Sequence, residues 1–152
     1  ATLELATQLP GPPDAIVTAL GSGGTAAGIL LGCSLLGWPT RVVAVRVASP
    51  FIANQWRVGT LARGARSLLI SRSIPHPHAP TSPRLSVISG IGNGYGAPSP
   101  AGEAARAWGA ESGLELDSTY TGKTVAALPD LARMGFRRVV YWHTYAAPGS
   151  GL

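Results

Sequence analysis

The sequence is short of charge, of lysine and of cysteine. Only 12% of its 152 residues are charged, against roughly 25% in ordinary soluble domains. Hydrophobic residues make up 45%, which excludes a disordered tail, because such tails are charge-rich and poor in aliphatics. The single cysteine, Cys33, excludes a disulfide framework and a cysteine-based zinc site. Eleven arginines stand against one lysine, Lys123, so any chemistry that needs a lysine has one candidate. Long hydrophobic runs are missing too. The longest, residues 26–36 (AAGILLGCSLL), is interrupted by Gly32 and Ser34 and falls short of the roughly 20 residues a membrane span needs. No charged segment followed by an apolar one opens the chain, so no signal peptide is visible and the expected compartment is the cytoplasm.

The net charge is +5, but the arginines are scattered and only Arg137 and Arg138 are adjacent. Without a basic stripe interleaved with aromatics, neither a nucleic-acid nor a membrane partner is expected. The first residue is alanine, and residues 3–9 read as a helix already under way. A fragment or a processed chain is the expectation. One layered unit is expected across residues 1–152, long enough to bury its own core.

Strand-like and helix-like segments alternate. Residues 14–20 (DAIVTAL) and 41–47 (RVVAVRV) read as buried strands of a parallel sheet. Between them, residues 26–36 predict an apolar helix that stops near Gly37 and Pro39. Residues 51–69 have helical spacing, with Ile52, Trp56, Leu61 and Leu68 as candidate core positions. Residues 71–83 form a proline- and histidine-rich loop, in which His76 and His78 lack the further ligands of a metal site. A short strand at 85–89, a glycine and proline loop at 90–100, and helices at 101–112 and 121–134 follow. Pro129 is a candidate break in the last helix, and residues 138–143 (RVVYWH) predict a closing strand. The fold class is therefore α/β, layered, with a mostly parallel sheet.

The strand–glycine turn–helix at residues 14–36 is the strongest local signal. Its turn lies at the carboxyl end of a parallel strand, where open α/β sheets bind ligands. The helix that follows offers free amides and a positive dipole end, both suited to a phosphate. Ser22 and Thr25 add hydroxyls, and the glycines at 21, 23 and 24 allow close approach. A P-loop is excluded because no lysine follows. A nicotinamide cofactor is disfavoured, because residues 41–47 lack the acidic residue that would hold its ribose. A tight strand-to-helix connection with no ligand is the plain alternative.

Two later segments are unusual: Tyr95 between Gly94 and Gly96, and Tyr120 ahead of Thr121, Gly122 and Lys123. By residue type alone, both tyrosines fit half-buried core positions as well as a site. Lys123 reads as a solvated lysine at a helix start, His143 as a strand histidine held by a hydrogen bond, and Cys33 as a small buried hydrophobe.

Taken in order, GSGGTAAG (21–28), GYGAPSPAGEAA (94–105), LDSTYTGK (116–123) and the closing His143-Thr144 resemble the C-terminal half of the D-cysteine desulfhydrase and 1-aminocyclopropane-1-carboxylate deaminase family. The resemblance runs from about Pro13 to Thr144. It implies the large domain of a fold type II (tryptophan-synthase-β-like) enzyme, incomplete here, with pyridoxal 5′-phosphate as cofactor and a small amino acid as substrate. By the same resemblance, Ser22, Gly23, Gly24 and Thr25 would hold the cofactor phosphate. Tyr95 and Tyr120 would be catalytic, flanking substrate and coenzyme. Thr121 and Thr144 would lie at the coenzyme ring. The deaminase has glutamate and leucine at these two positions, so the threonines imply a desulfhydrase, which eliminates sulfide from D-cysteine to give pyruvate and ammonia. The deaminase, another fold type II enzyme and a non-catalytic anion-binding module remain as alternatives.

The family's coenzyme-bonding lysine and the Ser-Asn pair after it belong to the N-terminal half. This chain has no Ser-Asn pair, and its one lysine sits in a different motif. The implied partner is that missing half, a homodimer is left open, and the chain alone is expected to be inactive. The family continues His-Thr-Gly-Gly, whereas Tyr145 follows Thr144 here.

Overall fold

The computed structural model describes residues 1–74 and 84–144. Its elements are α1 (Thr2–Gln8), β1 (Ala15–Leu20), α2 (Gly24–Leu35), β2 (Arg41–Arg46), α3 (Gln55–Ser71), β3 (Leu85–Ser89), α4 (Pro100–Glu111), α5 (Thr121–Val125), α6 (Leu128–Arg133) and β4 (Val139–Tyr141). The four strands form one parallel sheet in the order β3-β2-β1-β4. The α/β fold with a parallel sheet is thus as expected from the alternation of segments.

Side chains alternate across the two faces of the sheet, as the pleat requires. Ile16, Leu20, Val42 and Ala44 pack with Ile29, Leu30, Cys33, Val58 and Ala62 of α2 and α3. Ala15, Val17, Val43 and Val45 pack on the other face against Leu131 of α6. Because both faces are covered, β1 and β2 read as nearly unbroken apolar runs. A smaller cluster of Ala105, Leu116 and Val125 joins α4 to α5. Strand β4 is held beside β1 from below: Asp14 accepts hydrogen bonds from the Arg137 and Arg138 amides, both at 2.8 Å. Those bonds keep the Asp14 carboxyl below its ordinary value.

The topology changes direction at β1. The chain moves from β1 to β2 and β3 on one side, and β4 returns on the other. The carboxyl ends of β1 and β4 therefore flank a crevice of the kind that holds ligands in open α/β sheets.

Several expectations need correction. Ile52, Trp56, Leu61 and Leu68 are exposed, Trp56 by 74%. The buried positions on α3 are Val58 and Ala62, one turn apart. Close packing on α2 selects this small-residue line, and the large apolar side chains fall off it. Helix α3 also starts later than residue 51, at Gln55, because the Asn54 side chain caps it by accepting from the Arg57 amide at 2.9 Å. It runs through Ser71, so the helix covers the first residue of the expected loop. Residues 75–83, with His76 and His78, lie outside the described residues. The expected helix over 121–134 is two helices, parted at Ala126 and Ala127. Pro129 sits in the first turn of α6, where its missing N–H costs nothing, rather than at the break. The last strand ends at Tyr141, two residues early.

Cys33 is buried as expected, and desolvation pushes its thiol up to about 11. Among the described residues, no helix is long and apolar enough to cross a membrane.

The corrected core makes a prediction. Leu131→Ala should lower stability by about 2–5 kcal/mol, since it empties a fully buried site, whereas Trp56→Ala should cost about 0.5 kcal/mol or less. Chemical denaturation measures both, and a larger loss for Trp56 would contradict this assignment of α3.

Candidate functional site

Strand β1 passes into α2 through Gly21, Ser22 and Gly23. Gly23 has φ 92°, in the left-handed region, and a side chain there would press on Val58. Only glycine meets both demands. Gly23 stands at the N-cap of α2, so no side chain caps this helix, and its first turn carries no acid. The amides of Gly24, Thr25 and Ala26 have no partner within the helix; the first such bond is Ala27 N to Gly23 O at 2.9 Å. Arg57, from α3, donates to the Ser22 carbonyl at 2.9 Å and braces the loop from behind.

A cavity of about 460 Å³ opens in front of these amides. It is lined by Ala19, Gly21, Ser22, Gly23, Gly24, Thr25, Tyr120 and Thr144. Its size lies within the roughly 300–1,000 Å³ typical of small-molecule sites. Ser22, Gly24 and Thr25 are exposed, and a side chain added at Gly24 would meet nothing within 4 Å. Gly21 has a different use. A Cβ there would come within 3.4 Å of the Tyr120 ring, so the tyrosine lies against the glycine turn.

Tyr120 enters the cavity from the N-cap of α5. Asp117 fixes that entry. Its carboxylate accepts from the amides of Thr119, Tyr120 and Thr121 at 2.8, 2.7 and 3.1 Å and from the Thr121 hydroxyl at 2.6 Å. Desolvation pushes the Asp117 carboxyl up, but these hydrogen bonds outweigh it and hold the carboxyl below its ordinary value. The Tyr120 and Tyr95 hydroxyls meet at 2.5 Å, with the rings edge-on at 6.1 Å. The bond to Tyr95, followed by desolvation, pushes the Tyr120 hydroxyl up to about 12.

Six of the eight residues expected at the site line the cavity: Ser22, Gly23, Gly24, Thr25, Tyr120 and Thr144. Tyr95 joins through its bond to Tyr120. Thr121 stands apart. It is 1% exposed, and its hydroxyl is engaged with Asp117. The neighbouring Tyr141 hydroxyl is buried and is pushed well above its ordinary value by desolvation, with the Thr121 hydroxyl beside it pulling the other way.

Lys123 is the clearest correction. It was expected in solvent, yet it is 2% exposed, and its ammonium donates to the Ile91 and Gly94 carbonyls at 3.0 and 2.9 Å. His143 lies just past β4, exposed, with its ring stacked on Tyr141 at 5.5 Å. No hydrogen bond holds its side chain among the described residues. Tyr145, which follows Thr144, lies outside them. The reading of the sequence missed Arg57 and Asp117. Asp117 carried a signal, an acid just ahead of a helix start; Arg57 carried none, because its contact spans 35 residues.

Comparison with known proteins assigns the family. The family profile described as "Pyridoxal-phosphate dependent enzyme" matches residues 1–144. The chain belongs to that family, whose cofactor is pyridoxal 5′-phosphate. It is 34% identical over 141 residues to a "Putative 1-aminocyclopropane-1-carboxylate deaminase" of Pyrococcus abyssi, covering 90% of this chain and 40% of that protein. A protein of the same name from Pyrococcus horikoshii is 33% identical over 152 residues, covering 97% and 44%. A crystal structure of an "ACC deaminase homologue" superimposes with a TM-score of 0.74 at 30% identity, covering 92% of this chain and 41% of that one. The chain thus spans about two fifths of the length of these relatives.

The residues present fit the phosphate of that cofactor. The donor set is an uncapped helix start with two hydroxyls, and among the described residues no carboxylate lines the cavity to repel an anion.

The tyrosine pair can be tested. Tyr95→Phe removes the bond that raises Tyr120, so its ionisation should fall from about 12 toward the ordinary value near 10. A pH titration of labelled tyrosine carbons by NMR reads this directly. An unchanged Tyr120 titration would mean that the two hydroxyls do not pair in solution.

Proposed function

We propose that this chain carries the phosphate cradle and the tyrosine pair of a pyridoxal-phosphate-dependent lyase acting on a small amino acid, of the D-cysteine desulfhydrase type. The carrying observation is the uncapped start of α2 opening into a cavity that Tyr120 also lines. In this reading, the Gly24, Thr25 and Ala26 amides and the Ser22 and Thr25 hydroxyls bind the phosphate, and the helix dipole adds to their attraction. Bound there, pyridoxal phosphate would supply an electron sink for an amino acid's α-carbon.

Tyr120 keeps its proton at neutral pH, because its hydroxyl titrates only at about 12. It therefore serves as a donor poised over the cavity rather than as a base, with Tyr95 orienting the hydroxyl. Thr144 is assigned to the wall at the coenzyme ring, since it lines the same cavity. Thr121 acts through Asp117, keeping the α5 entry and hence Tyr120 in place.

The desulfhydrase reading is supported by the cavity lining, which carries no carboxylate among the described residues. A ring without a carboxylate partner is a weaker sink, sufficient for expelling a good leaving group such as sulfide. The deaminase is the second reading, favoured by the names of the relatives. In both, the rest of a longer protein supplies the lysine that bonds the coenzyme, because Lys123 is committed to two carbonyls and does not line the cavity.

Two experiments test the proposal. Gly24→Asp places a carboxylate where the phosphate would sit, at a position with no packing neighbours. Affinity for pyridoxal phosphate, followed by absorbance, should fall at least tenfold, about 1.4 kcal/mol. The melting temperature should hold or rise, because an acid suits a helix start. Equal affinity would remove the phosphate from this loop. Second, the 152-residue chain should release no pyruvate or sulfide from D-cysteine above the background of free coenzyme. Turnover would overturn the assignment of the bonding lysine to another segment. In a longer protein carrying that lysine, release of ammonia from 1-aminocyclopropane-1-carboxylate faster than of sulfide from D-cysteine would decide for the deaminase.

A further inference from the structure

The only lysine of the chain is buried and carries no carboxylate partner among the described residues. A desolvated ammonium is retained only where other groups satisfy it. Here those groups are the carbonyls of Ile91 and Gly94, in the loop between β3 and α4. The lysine stem is backed by α4: a Cβ at Gly102 would sit 3.4 Å from Lys123 Cγ.

The loop itself has little to hold it. Gly92, Gly94 and Gly96 all adopt left-handed backbone, with φ of 56°, 135° and 74°. Glycines give up more conformational freedom on ordering than other residues. The Gly90 amide anchors the start of the loop on Arg46 O at 2.8 Å, and Gly94 N closes a turn on Ile91 O at 3.1 Å. Tyr95 follows at once and is 61% exposed, so burial does not fix its position. Something must tie down the backbone that carries it.

We propose that Lys123 is a positioning residue whose ammonium, by gripping the Ile91 and Gly94 carbonyls, sets Tyr95 against Tyr120. Tyr120 stands at the N-cap of α5, and Lys123 lies one turn further along the same helix. One short helix thus holds both tyrosines, the first through its own backbone and the second through an ammonium. Asp117 orients the start of that helix, so a single structural unit registers the pair. The importance of the pair for chemistry rests on the functional reading above; the tether itself does not.

The test uses the protein labelled with 13C-tyrosine and with 15N at the lysine side chain, where a sole lysine gives a single ammonium resonance. In the wild-type chain this resonance should persist, with proton exchange at least about tenfold slower than for a free lysine, and ring-to-ring cross-peaks should join Tyr95 and Tyr120. Lys123→Met keeps the stem but removes the donors, so those cross-peaks should vanish. Leu131→Ala, destabilising but in the core cluster under β1 and β2 rather than at either tyrosine of the pair, should keep them. Affinity of the Lys123→Met chain for pyridoxal phosphate should stay within about threefold of wild type, since the amides of α2 are untouched. Intact tyrosine cross-peaks in Lys123→Met, or their equal loss in Leu131→Ala, would overturn the proposal. Should Lys123→Met fail to fold, the wild-type ammonium decides: exchange at the rate of a free lysine would overturn it, and slow exchange with contacts to the Gly94 region supports it. Loss of coenzyme binding with the tether intact would instead count against the phosphate site alone.

Discussion

A helix that begins without a cap is the constraint around which this chain is arranged. Strand β1, buried on both faces, ends at Leu20 and passes through a left-handed Gly23 into α2. The geometry of that turn excludes a capping side chain. The amides at the start of α2 therefore depend on what enters the cavity. The surroundings respect this. No acid stands in the first turn, the cavity wall is neutral among the described residues, and Arg57, outside that lining, draws on the Ser22 carbonyl. A positive helix end with an open front and a neutral wall is a physical description of an anion site, and it agrees with membership of a family built on a phosphorylated coenzyme.

The second half of the site is made differently. The glycine turn is fixed by the sheet, whereas the tyrosine pair is fixed by small polar contacts. Asp117 gathers three amides and a hydroxyl to start α5. Lys123 gathers two carbonyls of a loop. Both are charged groups used to organise backbone, with desolvation offset by several short hydrogen bonds. Few charges are available to this chain, and two of them serve the geometry of a single pair of hydroxyls.

The sheet and the glycine turn were legible in the sequence because they rest on local signals. Apolar runs of strand length, glycine punctuation and helix periodicity gave the alternation, and motif order gave the family. What remained hidden depends on contacts distant in sequence. Trp56 and Leu68 looked like core because helical spacing cannot say which face meets α2, and the packing chose Val58 and Ala62. Lys123 looked solvated because a lysine at a helix start usually is, and its carbonyl partners lie 29 and 32 residues away. Thr121 carried a motif position but not its orientation, which the Asp117 carboxylate determines.

An anion seated at the start of α2 is what the rest of the site depends on. An amide-resolved NMR titration of the 15N-labelled chain with pyridoxal phosphate addresses this, with inorganic phosphate in parallel. Saturable shifts should concentrate at Ser22, Gly23, Gly24, Thr25 and Ala26 with both ligands, and extend to Tyr120 and Thr144 only with pyridoxal phosphate. Shifts centred instead on the surface arginines, such as Arg133, Arg137 and Arg138, with the glycine turn unmoved, would contradict it.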